Sequence, residues 1–415
     1  MTLEGTTKPS TPADASAAGV SRREFLPMMS AIMALTALSI DMVLPAFDEM
    51  RETFGLEPQS PQMSQVVTVF FFGLAVGQLW LGPLSDRYGR KPVLAASISV
   101  YAIAAVASAL APSLGLMLVG RFVWAIGASG CRAVAVAIVR DVLDGEAMAK
   151  AMSVIMAVFI LVPVIAPSVG SLVILVLPWQ AIFLLCAGWA MLVWTWTSRL
   201  PETLAEHNRR SLRMRSLAEG AKRVATTRVT SLSTLASAFL QGLMATYLAT
   251  SELIIGDIFD LRSQFPLIFG AIASLFAVGS LANGWLVGRM GLARVVRWAS
   301  TLSPAVTLVL LAIAVRSDGT PPVWLFLPVL ALSLSAMTLL MPNLNTLSLI
   351  PMGDMAGLAS SLTSSVRLGF GSILGTIAAA QVSDSVTPFA VAAVLFATAT
   401  AVTSVLAVAG MTRPD

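Results

Sequence analysis

The sequence predicts an all-α integral membrane protein with twelve transmembrane helices in two six-helix halves and both termini in the cytoplasm. Three observations predict it: the composition, the long apolar runs and the side on which basic residues gather. Hydrophobic residues make up 57% of the 415 and charged residues only 12%, about half the share of a soluble protein. The apolar runs lack the period-2 alternation of outer-membrane barrels, so we expect helices.

Twelve apolar runs are each about long enough for a helix to cross a hydrocarbon core of about 30 Å. They cover residues 25–47, 62–84, 92–111, 115–138, 150–176, 180–200, 230–251, 264–287, 294–315, 322–346, 356–380 and 386–410. The predicted domains are a disordered cytoplasmic tail (1–24), an N-terminal six-helix half (25–200), a cytoplasmic linker (201–229), a C-terminal six-helix half (230–410) and a short cytoplasmic tail (411–415).

Basic residues gather in every second loop. With the N-terminus placed in the cytoplasm, 20 Lys and Arg residues fall on the cytoplasmic side and 3 on the outer side. The positive-inside rule therefore predicts that both termini are cytoplasmic. The pI near 9.4 follows from this topology, so we expect no nucleic-acid partner.

Asp41 interrupts the first apolar run, 25–47. A carboxylate in a membrane span costs a few kcal/mol or more, so it usually faces a partner or a water-filled cavity. The alternative is a polar residue near a helix end that reaches out to water. The functional interpretation is favoured.

The loop after the second run reads GPLSDRYGRKP, and two of its features predict a functional loop. Its glycines permit a tight turn, and its embedded acid can pair with a base. Arg90 can reach Asp141 at the cytoplasmic end of the fourth run. We expect this charge cluster to hold the halves together on the inside and to release when the protein turns inward. The predicted gating loop comprises Gly82, Asp86, Arg87, Gly89, Arg90, Lys91 and Asp141.

A trace of this loop recurs after the eighth run. Gly284, Arg289 and Gly291 repeat the spacing of Gly82, Arg87 and Gly89, although the acid and the second arginine are lost. Two homologous six-helix halves are the architecture of a secondary transporter with its substrate near the midplane.

These residues resemble the major facilitator superfamily, whose signature loop matches Gly82 to Lys91, with Pro201-Glu-Thr-Leu204 as a second match. Further motifs resemble the bicyclomycin/chloramphenicol-resistance (Bcr/CflA) branch of drug:proton antiporters. They are Asp41-Met-Val-Leu-Pro45, Gly77-Gln78, Arg121-Phe122, Arg140-Asp141, Met152-Ser153 and Pro163-x-x-x-Pro167-x-x-Gly170. The resemblance implies the fold of that superfamily across all twelve spans.

The resemblance also implies roles for individual residues. In that branch the acid of the first span and the arginine of the fourth are implicated in proton coupling, which here are Asp41 and Arg121. Helix direction puts both in the outer half of the membrane. The antiporter motif of the fifth span is carried over as Pro163, Pro167 and Gly170. Ala166 and Ser171 depart from it because they stand where glycine is usual.

Polar residues within the spans are candidates to line a substrate cavity. Arg132 follows Arg121 by eleven residues, close to three turns, so both project from one face of the fourth span. Arg132 and Arg367 either line the cavity or make structural hydrogen bonds, and both alternatives stay open. The candidates are Gln78, Trp124, Arg132, Gln241, Tyr247, Asn343 and Arg367, each with packing between helices as its alternative.

We therefore expect a proton-coupled exporter of small drugs in the bacterial cytoplasmic (inner) membrane, acting as a monomer in the lipid bilayer. Three arginines against one clear carboxylate in the spans favour neutral or weakly acidic drugs. The spans hold no histidine, paired acids or serine–lysine dyad, so no enzyme, metal or cofactor is expected. The alternatives are a dedicated exporter or importer of one endogenous metabolite and, far less favoured, a membrane sensor or scaffold, which would need a larger soluble part.

Overall fold

The protein is described here by a computed structural model that covers residues 21–57, 60–206, 209 and 214–411, and these ranges contain helices and no strand. The helices are α1 (Arg22–Asp41), α2 (Phe47–Thr53), α3 (Gln65–Tyr88), α4 (Arg90–Ala109), α5 (Leu114–Val142), α6 (Gly145–Ile174), α7 (Gln180–Thr197), α8 (Met214–Thr226), α9 (Arg228–Glu252), α10 (Phe265–Met290), α11 (Leu292–Arg316), α12 (Val323–Leu349), α13 (Ala356–Ala379) and α14 (Thr387–Met411). The predicted all-α class is confirmed. Most of both predicted tails, residues 1–20 and 412–415, lies outside the described residues.

Eleven helical stretches of the described chain are long and apolar enough to cross a membrane. The predicted span 356–380 forms α13 with nearly the predicted bounds, yet α13 is not among the eleven. Arg367 and many serine and threonine residues lower its hydropathy. The predicted count of twelve is therefore not confirmed by length and composition.

The first predicted span, 25–47, is interrupted in the structure. α1 ends at Asp41, a 3-10 turn covers Leu44–Ala46, and the short helix α2 follows. Pro45 is in this turn, where its missing N–H removes a helical hydrogen bond. The interruption leaves Asp41 as the last residue of α1, at the negative end of the helix dipole, where a carboxylate gains no stabilisation.

The helices pack into two groups in the order of the chain. α1 and α3 to α7 contact one another, and so do α9 to α14. The groups meet mainly where α3 packs on α13 and α6 packs on α10.

Close packing of helices within the C-terminal half depends on small residues. Gly371 of α13 lies so near α9 that an added Cβ would be 2.6 Å from the Cβ of Gln241.

The linker contains α8, which packs on the C-terminal half. Val224 is buried in a small apolar cluster with Met352, Ala359 and Leu362. The α8 part of the predicted cytoplasmic linker is therefore packed against the C-terminal half.

Candidate functional site

A cavity of about 950 Å³ lies between the two halves. Helices α3, α5 and α6 line it from the N-terminal half, and α10, α12 and α13 from the C-terminal half. Its lining reaches the ends of α3 and α5 at Asp86, Arg140 and Asp141. The basic loops predict that these ends are cytoplasmic. On this predicted orientation, which also names the inner and outer sides below, the cavity faces inward.

The predicted cavity residues separate into two groups. Gln78, Arg132 and Arg367 line the cavity, whereas Trp124, Gln241, Tyr247 and Asn343 are not among its lining residues and are buried between helices. Trp124 packs edge-on against aromatic rings, and Asn343 donates hydrogen bonds to Asn283 Oδ1 at 2.7 Å and to the carbonyl oxygen of Leu339 at 2.6 Å. For these two residues the packing alternative describes the structure.

Asp41 is 3% exposed and lies toward the interface with the other half. Its carboxyl group has no hydrogen bond or ion pair with any described residue. It lies near Tyr247 of α9, whose buried hydroxyl also lacks a hydrogen-bond partner and whose ring stacks on Phe269 at 5.7 Å. Asp41 is therefore a buried acid between the halves that this conformation leaves unpaired.

Arg121 is fully buried and does not form an ion pair with Asp41, so the predicted partnership is absent from this conformation. Its Nη1 donates to the carbonyl oxygen of Ser39 at 2.8 Å. Its guanidinium also lies 4.4–5.5 Å from the ring centroids of Phe70, Trp124 and Phe183. Backbone carbonyls and aromatic faces compensate this charge. The hydrogen bond to Ser39 also ties Arg121 to α1 two residues before Asp41.

A network at the cytoplasmic ends of α3 to α5, which we call the inner cluster, contains Ser85, Asp86, Arg90, Asp141 and Glu202. The predicted contact is present, because Arg90 Nε donates to Asp141 Oδ2 at 2.8 Å. Arg90 Nη1 donates to Asp86 Oδ1 at 2.5 Å and to Ser85 Oγ at 2.7 Å. All five residues belong to the N-terminal half or its exit, so in this conformation the cluster does not join the halves. The predicted contact between the halves belongs to the state that is closed on the inside, and it stays a prediction.

Glu202 completes the inner cluster from the Pro-Glu-Thr-Leu segment. Its carboxylate accepts hydrogen bonds from the backbone N–H of Arg90 at 2.8 Å and of Lys91 at 3.1 Å, at the start of α4. An acid in this position satisfies orphan donors and faces the positive end of the helix dipole. Gly89 has φ +104°, and an added Cβ would lie 2.4 Å from Glu202 Oε2, so glycine is required here.

A second network on the opposite side does join the halves. This outer cluster contains Asp48 and Arg51 of α2 and Glu252, Asp257 and Arg262 of the C-terminal half. Arg51 Nη2 lies 2.8 Å from Glu252 Oε2, with both side chains about 5% exposed, and Arg51 Nη1 lies 3.7 Å from Asp257 Oδ2. Arg262 pairs with both Asp48 and Asp257.

The three carboxylates of the outer cluster offer atoms within 4.8 Å of one another. Both arginines pair with them, so the group is an ion-pair network that holds the outer side closed. Asp257 lies in a π-helical segment, Leu253–Ile258, of a type that recurs at functional sites.

The outer cluster was not predicted from the sequence. Arg51 and Arg262 are two of the three basic residues that the predicted topology puts on the outer side. The sequence does contain a signal for it. Acids together with an arginine follow the first span, and the same is true after the seventh span, which is the equivalent position in the other half.

The fifth predicted span, α6, runs without interruption through Pro163 and Pro167. Gly170 follows them at a close contact with the end of α1, where an added Cβ would lie 2.2 Å from the carbonyl oxygen of Met42. α6 also packs on α10 of the other half. The motif thus lies on a helix that contacts both the Asp41 region and the C-terminal half.

The family model described as Major Facilitator Superfamily matches residues 29–376. The chain belongs to the major facilitator superfamily. It is therefore a transporter and not an enzyme, and a multi-pass protein of the bacterial inner membrane. The predicted resemblance to the bicyclomycin-resistance branch is also confirmed by similar proteins.

Two curated relatives and one solved structure illustrate the similarity. A bicyclomycin resistance protein homolog of Haemophilus influenzae is 28% identical over 374 residues, 88% of this chain and 91% of that protein. The multidrug resistance protein MdtL of Klebsiella pneumoniae is 34% identical over 169 residues, 41% of this chain and 43% of that protein. The crystal structure of a D-xylose-proton symporter superposes with a TM-score of 0.73 at 13% identity, covering 90% of this chain and 96% of that one, which establishes the superfamily fold.

Proposed function

We propose that this transporter exports small drugs from the cytoplasm in exchange for protons, with Asp41 as the residue that carries the proton. The observation that carries the proposal is the buried carboxyl of Asp41 between the halves, without a cation or hydrogen bond beside it. An unpaired acid at membrane depth is costly, so its presence indicates a function that requires it.

The inward cavity and the closed outer cluster describe one state of an alternating-access cycle. A drug enters from the cytoplasm while Arg51 and Arg262 hold the outer side shut. For release to the outside the outer cluster has to separate, which opens a route for water to the Asp41 region. A proton taken up there changes the charge between α1 and α9, and a few kcal/mol of differential binding is enough to shift the two populations.

Drugs are the proposed substrates because one relative that matches most of the chain, and another that matches 41% of it, are named for drug resistance. The cavity volume supports this, since drug-sized ligands occupy sites of about 300–1,000 Å³. Its wall combines apolar side chains such as Met156, Phe159 and Phe276 with a small set of polar groups. Binding of one endogenous metabolite would use the same cavity.

The proton role is tested with Asp41→Asn in proteoliposomes. Chloramphenicol and bicyclomycin, for which the branch is named, serve as probes, and a pH-sensitive dye reports proton movement. We expect wild type to couple drug flux to proton flux. The variant should lose drug-driven proton movement but keep the exchange of labelled for unlabelled drug, because asparagine keeps the shape and cannot ionise.

Glu146→Gln is the matched control, because Glu146 is an exposed acid paired with Lys150 on the same half. It should couple as wild type does. Unchanged coupling in Asp41→Asn would refute the role of Asp41. A resistance screen in a host without its own pumps tests the substrate class, since a dedicated metabolite transporter would raise tolerance to at most one class of compound.

A further inference from the structure

Two arginines line the cavity from opposite halves. Arg132 lies ten residues before the cytoplasmic end of α5, and Arg367 lies eleven residues after the start of α13. These counts put them about 15 Å and 16 Å from the cytoplasmic ends of their helices. Both line the cavity at about the same depth.

Neither arginine is paired with an acid in the described part of the chain. Arg132 lies over the ring of Phe159 at 5.5 Å. Arg367 has only long contacts, from Nη1 to Gln241 Oε1 at 3.4 Å and to Met341 Sδ at 3.7 Å. Such weak contacts do not compensate two guanidinium charges at membrane depth.

The remaining charges of the cavity do not compensate them either. Its lining holds two acids, Asp86 and Asp141, and Arg90 engages both. Four arginines, Arg90, Arg132, Arg140 and Arg367, stand against these two acids. The cavity therefore has an excess of positive charge, and its deep end carries two cations, Arg132 and Arg367, that lack a counterion among the lining residues.

We propose that Arg132 and Arg367 form a clamp for the anionic group of the substrate, which is an organic anion with a carboxylate or a similar planar acid and an apolar body. Guanidinium groups match carboxylates with paired hydrogen bonds. Phe159, Phe276 and Met156 supply the apolar wall, and Ser280, Ser361 and Ser364 supply hydroxyl groups. The proposal rests on the transport function of the cavity and narrows the expected substrates from neutral or weakly acidic drugs to drugs that carry an ionised acid.

The clamp also gives the substrate a direct effect on conformation. In the empty cavity the two like charges repel, which opposes approach of α5 and α13. An anion between them removes the repulsion and draws the halves together on the cytoplasmic side. The substrate thus binds the closed state better than the open one, which is the differential affinity that a conformational change requires.

The test measures equilibrium binding to the purified full-length protein in detergent, without a proton gradient. A panel of aromatic carboxylates, each paired with its neutral primary amide, is titrated and followed by thermal-shift and calorimetric measurements. We expect carboxylates to bind at least tenfold more tightly than their amides. Arg132→Gln and Arg367→Gln should each weaken carboxylate binding tenfold or more and leave amide binding within about twofold.

Two further variants keep the result interpretable. Arg132→Lys and Arg367→Lys retain the positive charge but lose the paired, coplanar N–H donors of the guanidinium. Their carboxylate affinity should therefore lie between wild type and the glutamine variants. Arg289→Gln, an exposed arginine beside Trp285 that is not among the lining residues, should bind as wild type does.

The clamp proposal is overturned if no carboxylate binds, if amides bind as tightly as their carboxylates, or if both glutamine variants keep wild-type affinity. Failure of the proton role of Asp41 leaves these binding measurements unchanged, so the two proposals fail separately.

Discussion

The inner and outer clusters are both arginine–carboxylate networks, but only one of them crosses the interface between the halves. Arg90 binds Asp86 and Asp141 within the N-terminal half. Arg51 and Arg262 bind carboxylates of opposite halves. An ion-pair network at a membrane surface therefore controls access only where it joins elements that move apart. Here the outer cluster closes the outside, while the inner cluster stiffens one half beside an open cavity.

The largest expected effect is that of Arg51→Gln on the outer cluster. The variant leaves Glu252 without a cation in this cluster and Asp257 with Arg262 alone, and breaking a buried pair in this way costs about 3–5 kcal/mol. The closed outer side should lose most of its population. Spin labels on Glu52→Cys and Ser263→Cys, exposed residues of the two halves, report the change as a longer and broader distance distribution.

The control for this experiment is Arg316→Gln, since Arg316 is an exposed arginine of the outer side. It should leave the distance distribution as in wild type. An Arg51→Gln protein with an unchanged distribution would contradict the assignment of the outer cluster as the closing contact.

A smaller effect of a different kind is expected for Arg90→Gln. It removes the base of the inner cluster, and the partly exposed acids limit the loss of unfolding free energy to about 2 kcal/mol. Thermal unfolding should show this destabilisation, whereas the outer label distance should stay as in wild type. The control is Arg87→Gln, because Arg87 is an exposed arginine of the same predicted gating loop whose guanidinium lies over the ring of Tyr88. It should change neither the thermal stability nor the outer label distance. A change in the outer distance for Arg90→Gln would mean that the clusters are coupled.

The smallest effect is expected for Glu202→Gln. The amide oxygen can accept only one of the two hydrogen bonds from the start of α4, because the NH2 group is a donor, and the charge at the positive end of the helix dipole is lost. Together these losses cost about 1 kcal/mol. The loss should shrink at high salt, because exposed electrostatics are screened. A destabilisation as large as that of Arg90→Gln would show that Glu202 does more than cap α4.

Most helix positions were predictable because each span is a long apolar run with polar ends. The predicted runs 62–84 and 230–251 became Gln65–Tyr88 and Arg228–Glu252. The break after Asp41 was not predicted, although Pro45 marked it. The lower hydropathy of α13 was also missed, because its helical length was judged without weighing its hydroxyl residues and Arg367.

Side-chain partners were predictable only where the chain brings them to one helix end. Arg90 and Asp141 both follow spans that finish on the cytoplasmic side, so their contact was expected and is present. Arg51 and Glu252 are separated by 201 residues and by the boundary between the halves, so sequence spacing carries no information on their distance. Arg121 was assigned to Asp41 by resemblance, whereas the aromatic rings that receive it could not be identified from a single sequence.

The two uncompensated arginines of the cavity bear on how the transporter is powered. The bacterial interior is electrically negative, so outward movement of an anion is driven by the membrane voltage itself. If one monovalent anion leaves for each proton that enters, two charges cross in the favourable sense, worth about 4.6 kcal/mol at 100 mV. Export of such a substrate would continue when the pH difference is zero and stop only when the voltage also collapses.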